Sequence, residues 1–294
     1  MAFSNGQQSV EAGEIKRYKG VGSSYVLAVN PNKEQLEKIY GRTIENEPQY
    51  TSMTEGEKPV KQVRIEFIVK ADPEKYEGVN LVTKVVFFLR QEFRVGANSG
   101  KYQIIDKYGR TAWATPEEVE ANAIPQYASG PANISSNYRR AYVGEEDLVN
   151  FLISYLNIPA PQKFVDGKWV MKSESELKDS EALLEHIPDY FNGNVTELKN
   201  IVNLQPNNKV KLAYGIRHDD SGKLYQTVFT RMFLRNGARD YTKLHNAIKD
   251  AQSNGAFANS EFDCYELHEY KVESTDLSKE QPAETPFGAN DLPW

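Results

Sequence analysis

Leu81-Val82-Thr83-Lys84-Val85-Val86-Phe87-Phe88-Leu89-Arg90-Gln91-Glu92-Phe93-Arg94-Val95 is the stretch whose periodicity decides the fold class. Successive side chains of an extended strand point to opposite sides, so residues two apart share a face. Leu81, Val85, Phe87 and Leu89 line one face, and Lys84, Phe88, Arg90 and Arg94 the other, with Val86 and Glu92 among them. Three further runs divide the same way. Val60 to Lys70 sets Val63, Ile65, Phe67 and Val69 against Arg64, Ile68 and Lys70. Lys209 to Arg217 sets Val210, Leu212, Tyr214 and Ile216 against Lys209, Lys211 and Arg217. Leu224 to Arg235 sets Leu224, Val228, Met232 and Leu234 against Tyr225, Phe229, Arg231, Phe233 and Arg235. Each run joins an aliphatic core face to a face that interleaves cations with planar rings.

Around these runs the chain reads as strands, then helices, then strands again. Val21 to Val29 alternates as a strand, and Asn30-Pro31-Asn32 ends it and caps a helix over Lys33 to Tyr40. A loop rich in Pro and Glu runs from Thr43 to Pro59. Tyr102 to Trp113 forms a hairpin bent at Tyr108-Gly109, and Thr115-Pro116-Glu117-Glu118 starts a helix with a threonine cap and acids in its first turn. Glu145 to Leu156, Glu181 to Ile187, Thr196 to Val202 and Asp240 to Gln252 read as helices. The turn Asp219-Asp220-Ser221-Gly222 joins two of the strands, and Glu261 to Val272 is a last strand. The late strands cannot make a stable sheet alone, so they complete the sheet begun by the early ones. The expected fold class is β-rich α+β: a core over 15–272, a helical insertion at about 115–202, and disordered ends at 1–14 and 273–294.

Composition bounds the class. A chain of 294 residues with 39% hydrophobic residues can bury a real core in one or two domains. No run approaches the ~18 apolar residues of a membrane span, and Met1 to Gln8 lacks the pattern of a signal peptide. The lone Cys264 rules out an intrachain disulfide and a cysteine-built zinc site. The expected compartment is cytosolic. The net charge of −6 is sorted along the chain: Asn208 to Lys243 carries +5 and Val60 to Arg140 +3, whereas Val143 to Asn200 carries −6. Base accompanies the strands, and acid the helical middle and the closing segment.

A sheet face bearing Lys and Arg between rings suits single-stranded nucleic acid, which offers phosphates and unstacked base faces. The candidate residues are Arg64, Lys84, Phe88, Arg90, Arg94, Lys209, Lys211, Arg217, Tyr225, Phe229, Arg231, Phe233 and Arg235 on the strands. Tyr108, Arg110, Trp113, Tyr138, Arg139 and Arg140, followed by Tyr142, lie in the connecting segments. The same rings could instead lie under the helical insertion, with Arg and Lys stems covering them.

Catalytic patterns are sparse. His186, His218, His245 and His268 are scattered without metal-ligand spacing, and Gly20-Val21-Gly22 lacks the lysine and helix of a phosphate loop. Glu145, Glu146 and Asp147 begin a helix, where they offset its positive end. No metal or cofactor is expected, and a nuclease of scattered acids is a distant reading.

The segment from Glu273 is acidic, rich in Pro, Ser and Thr, and closes on Asp291-Leu292-Pro293-Trp294. Such a segment cannot bury enough apolar surface to offset its ordering entropy, yet its Trp suits a pocket with an apolar floor and a basic rim. This ending is similar to the acidic tip of bacterial single-stranded DNA-binding proteins, which ends Asp-Ile-Pro-Phe, with fewer acids and a bulkier final ring. The body resembles single-stranded DNA-binding proteins of crAss-like phages of gut bacteria. The resemblance lies in Val26-Leu27-Ala28-Val29-Asn30-Pro31, Ile105 to Trp113, Arg140 to Leu148 and Leu204 to Val210. It implies an OB-like antiparallel barrel that coats single-stranded DNA in the bacterial host cytoplasm. It also implies that Asp291, Leu292, Pro293 and Trp294 recruit replication or recombination proteins. A phage structural or scaffolding protein, its sheet face packed on a neighbouring subunit and not on DNA, is the rival expectation.

Overall fold

The computed structural model describes residues 16–106, 109–121, 138–158, 162–172 and 186–271. In chain order the strands are β1 (Arg17–Val29), β2 (Thr51–Met53), β3 (Lys61–Ala71), β4 (Val82–Phe93), β5 (Tyr102–Asp106), β6 (Thr111–Ala114), β7 (Tyr138–Arg140), β8 (Tyr142–Val143), β9 (Gln162–Val165), β10 (Lys168–Met171), β11 (Lys209–His218), β12 (Leu224–Val228), β13 (Leu234–Arg235), β14 (Ser260–Phe262) and β15 (His268–Tyr270). The helices are α1 (Lys33–Tyr40), α2 (Pro116–Glu120), α3 (Glu145–Tyr155), α4 (Ile187–Tyr190), α5 (Thr196–Asn203) and α6 (Thr242–Ser253). The chain is thus β-rich α+β. It divides into two compact units: residues 1–46, 66–86 and 205–294 in the first, 47–65 and 87–204 in the second.

In the first unit the strand order is β12-β11-β1-β3-β4, with β13 and β14 also on β11 and β15 on β1. The ladders of β1 with β3, β11 and β15 are antiparallel, and β1 carries a bulge between Val26 and Ala28. The chain ends of the described sequence therefore meet in one sheet, as the strand inventory required. Val210, Leu212, Tyr214 and Ile216 are buried, and the Tyr214 hydroxyl lies 2.5 Å from Ser24 Oγ. Gln226, also buried, accepts from Tyr18 N and donates to the Tyr18 and Gly215 carbonyls, joining β12 to its neighbours.

The opposite face of β1 and β11 is covered as well. Leu244, Ile248 and Ala251, at helical spacing on α6, pack with Phe229 against Val21 and Ala213. Fully burying a Leu, Ile, Val or Phe side chain is worth about 1.5–3 kcal/mol. Gly215 is required where β14 crosses β11, because a Cβ there would meet the Glu261 carbonyl. On the same face of β3 and β4, Ile68 and Val82 lie beneath Leu36 of α1 and Ile44. That helix is fixed by a capping box: Asn32 Oδ1 accepts from Gln35 N, and Gln35 Oε1 accepts from Asn32 N.

In the second unit β2 pairs with β3 and β8 with β4, both antiparallel, and β6-β5-β7 forms a separate antiparallel sheet. Ile104, Ala112 and Ala114 form that small sheet's core, with Val119 of α2 and Tyr138 against them. Leu148, Val149, Phe151, Leu152 and Tyr155 give α3 its buried side, and Phe151 meets Phe87 at 5.5 Å between ring centroids. Burial pushes the Tyr155 hydroxyl up to about 12.

Several expectations are corrected. The run Leu224 to Leu234 is not one strand: β12 stops at Val228 and β13 resumes at Leu234. Over that interval β11 advances only from Tyr214 to Lys211, so the surplus residues leave the ladder. Glu261 to Val272 is likewise two short strands, β14 on β11 and β15 on β1. The stretch 115–202 carries strands β7 to β10 as well as helices. The helix expected over Glu181 to Ile187 falls mainly outside the described residues, as do the two ends expected to be disordered.

Candidate nucleic-acid interface

The cations and rings expected on one open sheet face are distributed differently. Phe229 is 0% exposed and Phe233 and Lys211 are buried, so these three are corrected from surface to interior residues. For Phe229 the cause is α6, whose apolar side takes the second face of β11. Lys211 is 5% exposed, and its ammonium donates to the Ala238 carbonyl at 2.5 Å and to Tyr241 Oη at 2.9 Å. Burial and the nearby Lys75 hold its pKa below the usual lysine value. Arg235 is half-buried and burial lowers its pKa, while Arg231 is exposed.

Other candidates are bound to carboxylates. Lys84 reaches Glu66 at 3.3 Å, and Lys209 reaches Asp72 at 2.6 Å beside the Tyr25 ring, contacts that raise the lysine's pKa. Arg110 holds Asp106 at 2.5 Å. Arg64 lies over Tyr50, Arg217 over Tyr225, and Arg90 reaches Gln62 and Glu92. Phe88 is half-buried on β4. The Tyr225 hydroxyl donates to Asp219, and Tyr138 donates to the Glu118 carbonyl. Tyr108 and Asp291 to Trp294 lie outside the described residues.

One grouping does form, within the second unit. Three backbone hydrogen bonds tie its segments together: Arg94 N to the Ala141 carbonyl, Gln103 N to the Arg94 carbonyl, and Ala141 N to the Gln103 carbonyl. They bring the ends of β4, β5 and β7 side by side. The Arg140 guanidinium then lies 4.3 Å from the Tyr102 ring centroid and 5.5 Å from that of Phe93. Phe93 stacks on Tyr142 at 5.1 Å, and Tyr142 meets Phe191 edge-on at 5.1 Å. Phe93 is 42% exposed.

Arg139 and Arg140 are adjacent on β7 and so point to opposite faces. Arg139 is gripped by both oxygens of Glu145, a fully buried carboxylate at the start of α3 that also accepts from Tyr142 N. Arg94 reaches Glu146 at 3.3 Å and lies over the Trp113 ring, while Gln103 and Thr111 also donate to Glu146. Gly144 starts α3 in the left-handed region at φ 84°, where a Cβ would collide with the Phe88 carbonyl oxygen.

Of the sequence candidates, Arg139, Arg140 and Tyr142 come together, and Arg94 pairs separately with Trp113; Phe93 and Tyr102 complete the group and were not among them. Phe93 has the parity of the core residues of β4. A bulge after Arg90, whose partner is Val143 while that of Phe93 is Tyr142, breaks the alternation. The recurrent Tyr and Arg near β7 were the available signal.

No group of His, Cys, Asp and Glu suited to a metal occurs among the described residues. Cys264 is half-buried, and burial with Asp263 nearby raises its thiol pKa. No helix among the described residues is long and apolar enough to cross a membrane. Comparisons with protein families, curated proteins and solved structures returned no match.

Proposed function

We propose that this protein binds single-stranded DNA without sequence preference, as a phage replication or recombination factor, and recruits partner enzymes through Asp291 to Trp294. The observation that carries the reading is the group of Phe93, Tyr102 and Tyr142 around Arg140. Rings beside cations supply the stacking and charge that an unpaired strand needs, and stacking is worth ~1–3 kcal/mol per base. An OB-like barrel is the proposed architecture of the core. It is supported by the long, bulged β1 that pairs with β3, β11 and β15 in antiparallel fashion.

Fluorescence anisotropy with labelled oligo-dT and with its duplex tests the function. Strong preference for the single strand is expected. No binding to either, together with a stoichiometric protein assembly, would favour the scaffolding alternative.

A further inference from the structure

The candidate interface has rings in plenty but little unbalanced charge. Arg139 is matched by the buried Glu145, Arg94 by Glu146, and Arg110 by Asp106, itself buried. A phosphate drawn to Arg139 or Arg110 would have to share that cation with a carboxylate already shut away from water. Separating such a pair leaves a buried charge without compensation, which is costly. Arg140 is different: among the described residues no carboxylate lies within ion-pair distance of it, and only ring faces adjoin its guanidinium. Phe93, beside it, is the exposed ring of the group.

Resting on the function proposed above, we infer that the Phe93–Tyr102–Arg140–Tyr142 patch takes the faces of unpaired bases together with one phosphate at Arg140, and not a tract of backbone. Its ligand is a short unpaired segment recognised through its bases. Counterion release is correspondingly small, because only phosphates neutralised by otherwise unpaired cations displace bound salt ions.

The test is the salt dependence of binding to labelled oligo-dT, with an abasic oligonucleotide of equal length as the second probe. One phosphate contact on a single strand gives a slope of log K against log salt near about −0.7, and two contacts about −1.4. The abasic strand should bind ~10-fold more weakly or worse, since it offers nothing to stack. Arg140→Ala should flatten the slope towards zero, whereas Arg140→Lys should retain it; melting curves on both variants establish that they are folded. Phe93→Ala should weaken oligo-dT binding with the slope unchanged. A slope of about −3 or steeper, equal binding of the abasic strand, or an unaltered slope in Arg140→Ala overturns the inference while leaving single-strand binding in place. Failure to bind oligo-dT at any salt overturns both.

Discussion

Phe93 and Phe229 both lie in arginine-rich strand-like runs, yet they end in opposite surroundings. Phe93 stacks on Tyr142 with 42% of its surface open, whereas Phe229 is 0% exposed and packs on Phe257 and Phe262 beneath α6. Their substitutions should separate accordingly. Phe229→Ala removes a ring from a closed core and is expected to cost about 3–5 kcal/mol in urea unfolding. Affinity for oligo-dT per folded molecule should stay unchanged. Phe93→Ala should lose ~1–3 kcal/mol of that affinity, with stability altered by about 1 kcal/mol or less. Neither outcome follows from local sequence. The helix that covers Phe229 lies further along the chain, and the bulge that turns Phe93 outward is set by the pairing of β4 with β8.

At the scale of elements, the entry to α3 and the β11–β12 hairpin carry the clearest consequences. Gly144 places the first turn of α3 so that Glu145 and Glu146 reach Arg139 and Arg94. Gly144→Ala should destabilise by about 3 kcal/mol, from left-handed strain and the clash with the Phe88 carbonyl, read by thermal melting. In the hairpin, the Asp219 carboxylate accepts from Ser221 N and Oγ, Lys223 N and Tyr225 Oη. Burial alone would raise its pKa, but these hydrogen bonds outweigh burial and hold it below the usual carboxylate value. A depressed folded pKa contributes stability that is present above about pH 4 and is lost as pH falls through the folded value. Asp219→Ala should therefore cost about 1 kcal/mol at neutral pH, the carboxylate being largely solvated. The difference from the parent protein should close in acid-titration melts. The turn was legible from Asp219-Asp220-Ser221-Gly222, because its bonds are local. The interruption between β12 and β13 was not, since it depends on the register with β11.

Over the whole molecule, charge sorting is the feature with a functional consequence. Deleting residues from Gln281 onward removes acid from a chain of net charge −6. It is expected to tighten oligo-dT binding at low salt and to abolish capture of partner enzymes, checked by anisotropy and pull-down. The β-rich class, the joining of early and late strands in one sheet, and most element positions were readable in advance. Period-two alternation, caps and turn residues act within a few positions of one another, and short-range sterics enforce them. Which cations stay available was settled only by the fold. Glu146 opposite Arg94, Asp72 opposite Lys209 and α6 over Phe229 are pairings made when separate segments pack, because a buried charge needs its counter-charge and an apolar helix face needs a cover.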